Sequence, residues 1–535
     1  MPEIQPLHEL LRFHARTTPD KIAVIYYGRT ISYQELDELS DRFAHFLLQR
    51  GLGKGDRVAL FMQNCPQYLI CHYGIQKIGA IVSPCNPMFK EWELEYQLLD
   101  LSAKMIVTLD QYYPVVKNIQ EKTSLHTVVL TNYTDFLPSE PSPTFPERIE
   151  SKTAIDGTYD LMDILEADFA KIPDVEIDME NDISVILYTS GSTGLPKGAM
   201  LTYRNAQFKT ECVVKTYNNT SDDVFLGVMP LFHIAGMTIG MNVPVYVGGT
   251  IVLLTRFVPE AVLEVIERYQ VTLAYTIVPM NIALLSHPKA KGTDFRSLRL
   301  NPSTSFGVIL TEEISRAWEN LTGVPLFDPA YGLTETHTLD AIMPPDKIKY
   351  GTVGKPTFET EIKIVSLDNS EQVLPTGEQG EILIKNPGVF KGYLNRPEET
   401  AKTLRDGWVH TGDIGKFDEE GYLYLLGRVK ELIKCSGYSV FPEEVEQILL
   451  RHPAIVSAAV IGVPDPVRGE SVKAFVLIKP EHQGTITAEE IISWSKEKMA
   501  NYKYPRFVEI RHSLPMTGAG KLLRRVLVDE EKQKN

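Results

Sequence analysis

Cysteine is sparse: five residues, Cys65, Cys71, Cys85, Cys212 and Cys435, lie scattered through 535 positions with no CxxC pair. That distribution excludes a disulfide framework and suits free thiols in a reducing compartment. Positive charge is in deficit too. With 54 Lys plus Arg against 69 Asp plus Glu, the formal charge is −15, which opposes nonspecific attachment to nucleic acid or to an anionic membrane. Long hydrophobic runs are missing as well. The longest mild one, Val243 to Leu254, is interrupted by Pro244, Gly248 and Gly249 and is too short to span a bilayer. The N-terminal stretch MPEIQPLHELLRFHARTTPDK lacks the continuous apolar core of a signal peptide. Together these absences predict a cytoplasmic protein with no nucleic-acid partner and no stable membrane insertion.

What is present is ordinary globular composition, 43% hydrophobic and 23% charged, in a chain long enough for two or more domains. Leu7 to Thr17 and Gln34 to Gln49 carry apolar residues at helical spacing, and KIAVIYYGRTISY reads as two short strands around Gly28. Further strand signals recur at DRVALFMQN, AKMIVTL, TSLHTVVL, DVFLGVM, GGTIVLL and VTLAYTIV, with helices such as Pro259 to Tyr269 between several of them. Alternation of this kind predicts an α/β body of layered sheets and helices. Asn132 to Asp178, rich in Pro, Ser, Thr, Asp and Glu, predicts a long surface excursion. After Gly351 the composition changes. EIKIV, GEILIK and YLYLLG read as short antiparallel strands, and the last hundred or so residues, from about Val429, read as a small α+β domain that includes a helix over Ala488 to Met499.

One run stands out for chemistry. YTSGSTGLPKG, Tyr188 to Gly198, follows the apolar tripeptide Val185 to Leu187, and its centre from Thr189 to Gly194 is entirely Thr, Ser or Gly. Such a backbone turns sharply and lets N–H groups and hydroxyls converge on a polyanion, while Lys197 adds a positive charge. Phosphate is the ligand this suits. A P-loop it is not, because Lys197 stands between Pro196 and Gly198.

With that run in view, the chain resembles the adenylate-forming superfamily, in its acyl-CoA synthetase branch, over essentially its whole length. Seven motifs occur in order: YTSGSTGLPKG, PLFH at Pro230 to His233, YGLTET at Tyr331 to Thr336, GTVGKP at Gly351 to Pro356, GWVHTGDIG at Gly407 to Gly415, GRVKELIKCSGYSVFPEEVE at Gly427 to Glu446, and LPMTGAGKLLRR at Leu514 to Arg525. The resemblance implies ATP, Mg2+ and coenzyme A as co-reactants. It also implies a large N-terminal domain, residues 1–428, and a small mobile C-terminal domain, residues 429–535, with a hinge near Lys430.

Roles follow residue by residue from the same resemblance. Thr189, Ser190, Gly191, Ser192, Thr193, Gly194 and Lys197 match the phosphate-binding signature. Glu335 resembles the magnesium ligand, an oxygen donor suited to a hard cation shared with phosphates. Thr334 would bond the attacked phosphate, and Tyr331 would lie beside adenine. Asp413 resembles the acceptor of both ribose hydroxyls, with Arg428 as a second ribose or phosphate contact. Lys521 resembles the lysine that aligns the carboxylate with the α-phosphorus. His233 looks like the residue near the acyl carboxylate that gates entry. Lys434, Ser436 and Gly437 resemble the face that approaches phosphate or the pantetheine thiol once the small domain rotates.

The implied reaction is activation of a carboxylic acid to acyl-AMP and its transfer to coenzyme A, with a medium- or long-chain fatty acid as the expected substrate. An aryl acid, a carrier-protein thiol as acceptor, and a noncatalytic nucleotide-binding regulator are the alternatives, and a homodimer is among the open oligomeric states. The chain departs from the family pattern at SFGVIL, Ser305 to Leu310, where Phe306, Val308 and Ile309 replace smaller residues, and at Pro329 and Ala330. His337 and Asp340 fall where acyl selectivity is often set.

Overall fold

Apolar runs at Arg57–Phe61 and Met105–Leu109 are buried almost throughout, the condition of strands covered by helices on both faces. They form the middle of a seven-stranded sheet. Its order is Tyr159–Asp160, Thr127–Thr131, Met105–Leu109, Arg57–Phe61, Ile81–Pro84, Ile183–Thr189 and Lys197–Thr202, parallel except for the last pair. The structure, a computed structural model, describes residues 4–148, 150–189, 195–305, 308–435, 438–516 and 522–534, with only the backbone at 438–439.

A second sheet of five strands, ordered Leu273–Ala274, Val224–Gly227, Thr250–Leu253, Ile22–Tyr26 and Arg29–Ser32, lies beside it. The hairpin around Gly28 is the antiparallel edge of that sheet. Helix Tyr33–Gln49 packs its Leu36, Phe43, Ala44 and Leu47 inward, the three-and-four spacing of one helical face. Its first turn is closed by Ser32, whose Oγ accepts the Glu35 N–H at 3.1 Å.

Asn132 to Asp178 is less peripheral than its composition suggests. It contributes a strand, Tyr159–Asp160, and a helix, Leu161–Glu166. Phe145 is buried edge-on against Tyr26, Tyr27 and Tyr133. A few aromatic anchors are enough to fix a polar segment onto a core, because each buries a large area.

Downstream, the strands 361–365, 380–385, 404–405, 408–417 and 423–428 form an antiparallel sheet. Its last strand ends at Arg428, and a short turn, Val429–Glu431, follows. A separate sheet then begins at Ile433, with strands Ile455–Asp465, Gly469–Ile478 and Phe507–Arg511. Helices Pro442–Leu449, Ala488–Lys498 and Arg524–Lys534 accompany this sheet, which has an apolar core of its own around Val445, Val460, Val472 and Val476. Among the described residues, no helix is long and apolar enough to cross a membrane.

Candidate active site

The serine- and glycine-rich run lies in sequence between Ile183–Thr189 and the edge strand Lys197–Thr202 of the seven-stranded sheet, an antiparallel pair with Thr189 opposite Lys197. Ser190, Gly191, Ser192, Thr193 and Gly194 lie outside the described residues. A further segment lies along the outer strand. The Met200 N–H donates to the Gly392 carbonyl at 3.0 Å, and the Lys391 and Leu394 N–H groups donate to Met200 and Gly198 carbonyls. That segment carries Tyr393, which motif matching does not reach.

Tyr393 links two of the expected residues. Its ring lies 4.2 Å from the Lys197 ammonium, a distance for cation–π attraction, and its hydroxyl donates to Glu335 Oε1 at 2.5 Å. Burial first, and then the neighbouring Glu335 charge, push the Tyr393 hydroxyl well above the ordinary phenol range, so it stays a donor. Lys197 is also 3.8 Å from Glu399. Glu335 sits in the short turn Thr334–Thr336, and the Phe390 N–H binds its carbonyl at 2.8 Å.

The other oxygen of Glu335, Oε2, takes no hydrogen bond from the described residues. No cluster of three metal-binding side chains occurs among them. A cation here would therefore draw its remaining ligands from phosphate and water, the manner of Mg2+. The single carboxylate fits that ion.

Tyr331 begins the same motif and heads a second cluster. Its hydroxyl donates to Asp413 Oδ2 at 2.7 Å, and Arg428 Nε lies 3.0 Å from Asp413 Oδ1. Asp413 and Arg428 are directly opposed on the antiparallel strands Trp408–Phe417 and Leu423–Arg428, which explains why residues fifteen apart in these motifs meet. Burial works against the Arg428 charge, and Asp413 together with Glu431, Tyr331 and Glu335 more than offsets it. Asp413 is itself buried. A carboxylate held in this way presents two oxygens in a fixed plane to a pair of neighbouring hydroxyls.

A cavity of about 130 Å³ lies among segments that flank these residues in sequence, though none of the three is in its wall. The segment leading to Tyr331 supplies Asp328 to its wall, the strand leading to Arg428 supplies Leu425, and Val353 and Ile309 complete much of it. Gln447, from the helix Pro442–Leu449, reaches it from the C-terminal unit. Asp328 is half-buried and lines this space, and among the described residues its backbone donor, Ser305 N–H, is 3.3 Å away. Burial pushes its carboxyl up to about 6. Of the SFGVIL departure, Val308 and Ile309 are exposed and Leu310 is buried, while Phe306 and Gly307 lie outside the described residues.

His233 caps the helix Ile234–Met237, its Nδ1 accepting the Ala235 N–H at 3.4 Å, and is exposed. Lys434 is exposed on the strand Ile433–Cys435. Lys521, Ser436 and Gly437 lie outside the described residues. Arg524, three positions after Lys521, is gripped by Glu431, Glu443 and Glu446, which ties the C-terminal helix to the turn after Arg428. Gly427 permits the approach of Glu443: a Cβ there would lie 2.4 Å from Glu443 Oε2, and its φ is 146°.

His337 and Asp340 are both fully buried. Among the described residues neither His337 ring nitrogen has a hydrogen-bond partner, and burial pushes the imidazole down to about 3. Asp340 is turned into an ion pair with Lys209, a residue that no motif marked.

Two family models match the chain: AMP-binding enzyme over residues 11–394 and AMP-binding enzyme C-terminal domain over residues 444–521. The chain belongs to the AMP-binding enzyme family. A long-chain-fatty-acid–CoA ligase of Bacillus subtilis is 38% identical over 98% of this chain and 94% of its own length. Among solved structures, ATP-bound MatB from Rhodopseudomonas palustris matches with a TM-score of 0.87 at 29% identity, covering 99% of this chain and 100% of that one. The apo form of MatB, at the same identity and coverage, matches with 0.77. The protein is thus an adenylate-forming acid–thiol ligase, which uses ATP and Mg2+ to activate a carboxylic acid as acyl-AMP and passes the acyl group to coenzyme A.

Proposed function

We propose that this ligase acts on medium- or long-chain fatty acids in the cytoplasm, with a large unit of residues 1–428 and a small unit of residues 429–535 hinged near Lys430. The Bacillus subtilis relative, matched along nearly its whole length, supports the fatty-acid reading. The observation that carries the nucleotide site is the Tyr331–Asp413–Arg428 cluster. Asp413 accepts the two ribose hydroxyls, one at each oxygen, and Tyr331 lies beside the base.

Glu335 holds Mg2+, which supplies charge neutralisation at the phosphate oxygens. Thr334, Lys197 and the run Thr189 to Gly194 bond the phosphates. Tyr393 keeps Glu335 oriented and shields the Lys197 side chain. In the first step a carboxylate oxygen of the fatty acid forms a bond to the α-phosphorus as the bond to pyrophosphate breaks, and Lys521 stabilises the charge that builds up there. The carboxylate is already ionised, so no base is needed, and His233 gates its entry.

In the second step the thiol sulfur of coenzyme A attacks the acyl carbonyl and AMP leaves with the bonding electrons, while the thiol proton passes to solvent. Lys434, Ser436 and Gly437 form the face presented to that thiol when the small unit turns. The better superposition on ATP-bound than on apo MatB supports an adenylation-ready arrangement in this structure.

The test is release of AMP and pyrophosphate, with ATP and magnesium, across short, medium and long fatty acids and aryl acids, each with and without coenzyme A. Fatty acyl-CoA formation strongest at medium or long chain length is the expected result. An aryl optimum, or adenylation that never reaches free coenzyme A, would overturn the substrate or the acceptor respectively.

A further inference from the structure

Helix Tyr203–Tyr217 carries a lysine with no exposure at all. Lys209 and its partner Asp340 are both at 0% side-chain exposure, with Nζ 2.6 Å from Oδ1. Burying an ammonium and a carboxylate together is expensive, and the pair adds little net stability over well-packed apolar residues. Its contacts suggest what it serves instead. The second oxygen of Asp340 accepts the Thr336 hydroxyl, and Thr336 Oγ1 in turn accepts the Leu333 N–H at 3.2 Å. One end of the turn that carries Glu335 is therefore bound to the pair directly, and the residue before the turn is bound to it through Thr336.

The same pair reaches the loop that carries Tyr393. Asn386 Nδ2 donates to Asp340 Oδ1 at 2.8 Å. From there the chain runs to Phe390, whose N–H holds the Glu335 carbonyl, and to Tyr393, whose hydroxyl holds the Glu335 carboxylate. One turn before Lys209 on the same helix face, Asn205 donates to the carbonyls of Pro387 at 2.7 Å and Val389 at 3.1 Å. Between them Gly388 lets the lysine stem pass, since a Cβ there would lie 2.3 Å from Lys209 Cε.

Between Thr336 and Asp340 the backbone is left-handed at three consecutive non-glycine residues, His337, Thr338 and Leu339, with φ of 56°, 62° and 57°. Left-handed residues without glycine persist where the surroundings over-determine them. Here they fold the chain back, so that Asp340 returns to the turn it left.

We infer that the Lys209–Asp340 pair is a positioning device for the metal-binding carboxylate, fixing the turn that carries Glu335 and the loop that carries Tyr393 against one helix face. It rests on the reading of Glu335 as the magnesium carboxylate. The pair touches neither metal nor substrate and acts through Thr336, Asn386 and Tyr393.

The test compares nucleotide binding by calorimetry, with magnesium and with EDTA, alongside melting temperature. Lys209→Met alone leaves a buried carboxylate unpaired and lowers the melting temperature. Lys209→Met with Asp340→Leu removes both charges and regains most of it. The double variant is expected to lose about 10-fold in affinity for ATP with magnesium, the scale of loss seen when groups supporting a metal ligand are removed, while its affinity for ATP in EDTA stays at the wild-type value. Wild-type affinity with magnesium in the refolded double variant would overturn the inference, as would an equal loss in both conditions.

Should the double variant not fold, Asn386→Ala decides. The same selective loss supports the device, and wild-type binding overturns it. Glu335→Gln, measured in parallel, separates the two readings. If it leaves magnesium-dependent binding unchanged, the assignment of Glu335 has failed. If it abolishes that dependence while the double variant binds normally, only the positioning role has failed.

Discussion

The hydroxyl of Tyr331 donates to Asp413 across 82 residues of sequence at 2.7 Å, while Arg428 holds the opposite carboxylate oxygen at 3.0 Å. Asp413 is thus fixed from two sides, with its plane set before any ligand arrives.

Loss of one anchor is expected to cost binding more than turnover. A hydrogen bond to a charged group is worth about 1.5–3 kcal/mol, so Tyr331→Phe should raise the KM for ATP roughly 10-fold, with kcat nearly unchanged. Asp413→Asn, which also strips Arg428 of its partner, should do more. Initial rates of pyrophosphate release over a range of ATP concentrations give both constants.

Tyr393 is expected to matter through the metal. Tyr393→Phe keeps the ring on Lys197 but removes the donor on Glu335 Oε1. The magnesium concentration for half-maximal adenylation should rise by about 10-fold, with the preference among fatty acids unchanged. Titration of magnesium at saturating ATP and acid measures it.

Lys521 is expected to serve only the first half-reaction. Lys521→Ala should lower acyl-AMP formation by about 10²-fold or more, the cost of removing one preorganised charge-stabilising group. Thioester formation from supplied acyl-AMP and coenzyme A should stay within a few fold. Separate assays of the two half-reactions check the split.

Asp328 sets a pH dependence of stability. Burial raises its carboxyl from 3.8 to about 6, so the folded state binds its proton more tightly than the unfolded chain does. The stability this contributes is complete below about pH 4 and is lost as pH rises through about 6. Asp328→Asn, neutral throughout, should therefore gain on the wild type between pH 4 and pH 7 and level off above. A two-unit shift corresponds to about 3 kcal/mol at most, and the partial exposure of Asp328 reduces it. Urea unfolding at pH 4 and pH 8 provides the comparison.

Much of the architecture was legible in the chain because local chemistry decides it. The helix at Leu7–Thr17 has the bounds its apolar pattern suggests, and the strand Met105–Leu109 lies within the run AKMIVTL, starting two residues into it. The strands Ile183–Thr189 and Lys197–Thr202 lie at the two ends of the serine–glycine run, where the apolar residues before it and the motif after it place them. Asn132 to Asp178 misled because polar composition reports average exposure, while a few apolar residues within it, among them Tyr133, Phe136, Phe145 and Leu161, decide where the segment is pinned.

The sequence by itself determined the order of the elements, the family and the identity of Asp413, Arg428 and Glu335 as candidates, since periodicity and motif are written in neighbouring residues. Only the tertiary structure decided their company. Tyr393 meets Glu335 over 58 residues, and Lys209 meets Asp340 over 131. A buried lysine has no signature of its own in a sequence, because the same side chain is solvated on most helices. Its partner is chosen by which chain segments the sheet edges and the left-handed turn at His337 to Leu339 bring together, and that is a property of the folded whole.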